Sequence, residues 1–299
     1  MNTTHKKVER ALWLSFAVLL IATLALQMIA LLFEYDAREN YFAIGAKLPI
    51  FSTLCAVLCG LCGIAAAFLT KGREQVIAPV DAPICNPVCC GLSAMGFLCA
   101  AALILIAGRS AFSLPTAIFL LLGFVYSILM LVRSVLSRSF SALPWLGMIA
   151  VIATIVMNAY YYFDSTVEMN APVKVCMQIS LLFFMLSMVS ELRYLFDAAQ
   201  PRMYLALHAC LLASIALALP ILLFVVLTGR LARLDYLAGG LLLLFLLPSA
   251  VLRILCMLFG AKTEPIQACE EPAAQNDLTD SDAETEPTDD TIDIDKEEN

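Results

Sequence analysis

The run from Met203 to Leu227, MYLALHACLLASIALALPILLFVVL, carries no charged side chain and only a few polar ones, His208 and Ser214 among them. As a helix rising 1.5 Å per residue it covers roughly 37 Å, more than the ~30 Å hydrocarbon core of a bilayer. Working outward, seven further apolar runs of similar length appear, so spans are predicted at 11–33, 48–70, 92–108, 115–136, 143–163, 173–195, 203–227 and 236–259. Across all 299 residues, 62% are hydrophobic and 14% charged, and the mean hydropathy is +0.88. These values exclude a soluble globular chain, for which about 25% charged residues are usual. The expected fold is all-α: an eight-span bundle built from helical hairpins.

Charge divides the chain. Its formal −7 splits into a +5 body over residues 1–259 and a −12 tail over residues 260–299. The tail contains no aromatic residue and cannot bury enough apolar surface to offset its conformational entropy, which predicts disorder. Residues 1–10 form a short N-terminal segment, and 11–259 the membrane domain. His5-Lys6-Lys7 resembles the start of a signal peptide, but the apolar stretch that follows is too long and has no small-residue cleavage site, so it reads as a retained first span. Connections are short, the longest running from Lys71 to Gly91, so no soluble catalytic domain is expected between spans. Ten Lys/Arg on one side against six on the other predict both termini inside a plasma membrane. Arg73, Arg133, Arg193 and Arg253 recur every 60 residues, each near the inner end of a span, with little side-chain identity around them.

Cysteines and prolines supply two local patterns. Cys55, Cys59 and Cys62 share a face of span two beside Ala56, Gly60, Gly63 and Ala67. Small residues at that spacing allow close helix approach, and the single Cys59-Gly60-Leu61-Cys62 motif lacks the further ligands a zinc site needs. In the inner loop 78–90, Pro79, Pro83 and Pro87 read as a stiff extended linker carrying Cys85, Cys89 and Cys90.

Two polar groupings are candidate sites. Gln27, Asn158 and Gln178 fall at similar depth in the outer third of spans one, five and six, and could line an outward-facing pocket beneath Tyr160, Tyr161 and Tyr162 or act as interhelical hydrogen-bonding groups. At the inner ends of spans six and seven lie Glu191, Arg193, Asp197, Arg202 and His208. Arg193 and Asp197, four apart on one helix, are expected to pair, and Arg253 to snorkel to the interface.

No mid-span carboxylate, arginine ladder, P-loop, HExxH or GxSxG appears, and no cofactor, metal or catalytic residue is indicated. The function expected is that of a permease, or the membrane subunit of a transporter, for a small neutral or weakly polar solute. The alternative is a non-enzymatic scaffold or sensor whose acidic tail recruits a basic cytoplasmic protein. A lipid-modifying enzyme built on Glu191, Arg193 and His208 ranks below both. The partners expected are the lipid bilayer and that protein; the tail's sign excludes nucleic acid, and nothing in the sequence sets an oligomeric state.

Overall fold

The structure is a computed structural model that describes residues 3–36, 41–70, 79–108, 111–136, 140–163, 171–196, 198, 200–227 and 235–260. Eight helices dominate it: α1 (Thr3–Phe33), α2 (Leu48–Leu69), α3 (Cys85–Ala107), α4 (Ser113–Leu136), α5 (Leu143–Phe163), α6 (Pro172–Leu195), α7 (Pro201–Leu227) and α8 (Asp235–Phe259). All eight are long and apolar enough to cross a membrane. Pro49, Pro144, Pro172 and Pro201 each occupy the first or second position of a helix, where a missing N–H leaves no bond unmade. Pro220 and Pro248 lie inside α7 and α8.

The helix boundaries depart from expectation in two places. Residues 85–90 belong to α3, which starts seven residues before the predicted boundary. Pro87 is only its third residue, still among the first four N–H groups that no helix uses, so the proline spacing read as an extended linker is compatible with a helical first turn. Helix α1 likewise runs back to Thr3, taking Lys6, Lys7 and Arg10 into the helix. A minimal antiparallel ribbon, β1 (Tyr35–Asp36) with β2 (Tyr41–Phe42), joins α1 to α2, so the described chain is almost, though not wholly, helical. Glu34 accepts the backbone N–H of Leu48 at 2.9 Å, tying this ribbon to the start of α2. The Tyr35 ring packs edge-on against Phe42 and Phe224, and burial, followed by the Asp36 charge, pushes its phenol above the ordinary value of 10.0.

Each sequential pair, α1–α2, α3–α4, α5–α6 and α7–α8, is in contact. The hairpins do not stand apart, because α3 also packs on α8 and α6 on α7. Helices α3 to α8 thereby close a six-membered ring, and the α1–α2 hairpin docks on α7 from outside it. Helix α7 is the hub: 72% of its most apolar window is buried, against 28–44% for the other seven. The α2 stripe makes the docking possible. A methyl group on Gly63 would lie 2.5 Å from the Ala209 side chain of α7 and 3.1 Å from the Phe16 ring of α1, so three helices meet where that side chain is absent. Cys59, one turn earlier on α2, is fully buried and donates its thiol to the Phe16 carbonyl at 3.4 Å.

Residues 261–299 lie outside the described residues, and with them most of the acidic tail and the partner expected for it. The same holds for Asp197 and Arg73. Arg133, Arg193 and Arg253 of the 60-residue series make three unlike sets of contacts: an ion pair with Asp81, bonds to Ala198 and Gln200, and a buried pair with Glu191.

Candidate functional site: a buried ion triad at the inner end of the ring

Helices α6 and α8 run in the same direction, and Glu191 and Arg253 stand four and six residues before their last residues. Both therefore sit roughly 6–9 Å inside the helix ends, too deep for an easy reach to water. Arg253 is only 4% exposed. Its Nε donates to Glu191 Oε1 at 2.9 Å and one terminal nitrogen to the Tyr204 hydroxyl at 3.3 Å. The sequence expectation that Arg253 snorkels to the interface is thus corrected: the guanidinium turns inward because a carboxylate at matching depth compensates it, and an unpaired charge there would be far costlier.

His208 completes the group from α7. One ring nitrogen, Nε2, lies 3.4 Å from Glu191 Oε1, and the other, Nδ1, lies 2.9 Å from the Tyr204 carbonyl one turn earlier. The Tyr204 ring lies against the imidazole with centroids 4.1 Å apart, which fixes its plane. Glu191 is the hub on which a permanent cation and a titratable base converge. With His208 neutral the triad carries no net charge; with His208 protonated it carries +1.

The triad forms one wall of a small cavity of about 30 Å³ inside the ring. Helices α3, α4, α6, α7 and α8 all contribute, with Ser93, Tyr126, Ser127, Ser187 and Ser249 as polar lining and Phe97, Phe184 and Leu246 as apolar lining. Ser127 and Ser187 donate their hydroxyl protons to the carbonyls of Gly123 and Phe184 in their own helices. Their oxygens keep lone pairs able to accept from a guest. Among the described residues no group of three or more His, Cys, Asp or Glu is arranged to hold a metal ion.

Of the residues predicted at this end, the structure brings together Glu191 and His208. Arg193 bonds to the Ala198 carbonyl and the Gln200 side chain, both at 3.1 Å, and Arg202 is exposed; the Asp197 expected to pair with Arg193 lies outside the described residues. In the outer half, Gln27 accepts a hydrogen bond from Ser52 of α2, whereas Asn158 donates to the Gln178 backbone carbonyl at 3.4 Å. These are two separate helix contacts, one between α1 and α2 and one between α5 and α6. Tyr160 and Tyr161 point into the protein, the Tyr161 hydroxyl accepting from the Gly239 N–H at 2.8 Å, while Tyr162 and Phe163 face outward. Tyr204 and Tyr126 were missed by the sequence reading, and Arg253 was read as snorkelling. The usable signal was a carboxylate and a guanidinium at matching depth on spans of the same direction.

Compared with known proteins, the chain matches no family model, no curated protein and no solved structure.

Proposed function

We propose that this chain is a multi-pass permease, or the membrane subunit of a transporter, for a small polar solute that binds in the cavity beside Glu191, His208 and Arg253. The observation that carries the reading is the buried triad itself, since ionisable groups held inside a membrane span are expensive and usually mark a pathway or binding site. A paired carboxylate and guanidinium with serine oxygens around them suit a small polar solute. In this reading the Gln27–Ser52 and Asn158–Gln178 contacts hold helices in register, and the site opens toward the side that carries both termini, the cytoplasmic side of a plasma membrane.

The test is osmotic swelling of proteoliposomes, followed by stopped-flow light scattering, with a panel of small neutral and zwitterionic solutes. Swelling faster than in protein-free liposomes for at least one solute, and lost when Ser127→Phe fills the cavity, is expected. Swelling no faster than in protein-free liposomes across the panel would overturn the permease reading. Swelling unaffected by Ser127→Phe would displace the pathway from the cavity.

A further inference from the structure

Three thiols meet at the inner edge of the ring, outside the triad. Cys85 opens α3, and its Sγ lies 3.8 Å from that of Cys89 one turn on. It also donates to the Leu252 carbonyl of α8 at 3.5 Å. In a helix that carbonyl points along the axis toward residue 256, one turn on, so Cys256 stands on the α8 face that Cys85 meets. Cys89 is buried and donates to the Ser249 carbonyl at 3.5 Å, whereas Cys85 and Cys256 are half-buried near the ends of their helices. Cys256 stands three residues before the end of α8, roughly 5 Å in, and is partly exposed.

From this geometry we infer that Cys85 and Cys256 form a redox-sensitive dithiol that closes into a disulfide between α3 and α8. Cys89, though near, is the wrong partner: Cβ atoms four apart on a helix are held about 5–6 Å from each other, and a disulfide needs about 3.5–4.5 Å. Cys256, on a different helix, is free of that constraint. Cys89 instead orients the Cys85 sulfur toward α8.

The oxidant is a low-molecular-weight disulfide. The Cys256 thiolate, its proton lost to water, attacks one sulfur of glutathione disulfide, a Cys256–glutathione mixed disulfide forms, and one glutathione thiolate leaves. Cys85, its proton passed to water, then attacks the Cys256 sulfur and displaces the second glutathione. Two protein thiols are oxidised, and one glutathione disulfide is reduced to two glutathione molecules. On a cytoplasmic face the pair rests reduced and closes only when the thiol pool is oxidised. The link would pin α3 against α8 beside the cavity wall that Cys90, Ser249 and Arg253 form. This inference does not depend on the permease reading.

The experiment exposes the purified full-length protein in nanodiscs to millimolar glutathione disulfide, blocks remaining thiols with N-ethylmaleimide and maps peptides without reduction. Cys85 and Cys256 are expected to disappear from the alkylated pool and reappear as one linked peptide pair, which dithiothreitol releases. Cys89→Ser keeps the link, and Cys85→Ser stops at the Cys256–glutathione adduct. Full alkylation of Cys85 and Cys256 after exposure would overturn the inference, as would a Cys85–Cys89 link or a mixed disulfide that never resolves in the wild-type protein.

Discussion

Glu191 and Arg253 show how a single charge is judged by its partner. Glu191→Gln leaves a buried guanidinium without a counter-ion, and a loss of about 3–5 kcal/mol is expected, read as a lowered melting temperature in detergent. Removing both charges with Glu191→Leu and Arg253→Leu together is expected to cost less than the sum of the two single changes, because neither charge is then stranded. Additive losses in that double-mutant cycle would show that the pair is not coupled. At the ribbon, the Tyr35 hydroxyl is buried and has no hydrogen-bond partner among the described residues. Its raised pKa means that stability present below pH 10 is lost as the pH rises and the phenol must ionise. Tyr35→Phe is therefore expected to be neutral or stabilising by about 1 kcal/mol at pH 7 and to flatten the loss of melting temperature above about pH 10. Residue identity made Glu191 and His208 legible as candidates, because polar atoms in apolar runs stand out. Arg253 was misjudged, because snorkelling and pairing look the same until the neighbouring helix is known.

Elements were the most legible scale. Eight apolar runs of bilayer length required no tertiary information, and the spans from α4 to α8 agree with expectation to within two residues at each end. The start of α3 was hidden, since the rule that proline breaks a helix fails in the first turn and nothing in the sequence says where that turn begins. Helix contacts can be tested at Gly63. Gly63→Leu is expected to lower stability by more than about 3 kcal/mol and to separate the α1–α2 hairpin from α7, seen as new protease cuts between α2 and α3. Ala209→Gly is expected to return part of the stability of Gly63→Ala, since Ala209 is the side chain that an added methyl meets. The small-residue stripe announced a close contact but not which helix would supply it.

At the scale of the molecule, a closed ring of six helices with a docked pair differs from four hairpins laid side by side, and hydropathy does not distinguish the two. The ring encloses the cavity, whereas the α1–α2 pair lines none of it. Residues 1–74 co-expressed with residues 75–299 are therefore expected to co-purify, held through α7, and halves that fail to associate would contradict the docking seen here. The closed ring also sets a timetable. A chain made from its N-terminus inserts α3 long before α8, and the carboxylate of Glu191 before its cation at Arg253. Until the last span arrives, the ring is open and the carboxylate has no permanent positive neighbour. A ribosome stalled between α7 and α8 would leave an intermediate marked by that stranded charge, a chemical label by which membrane quality control could tell an unfinished chain from a finished one.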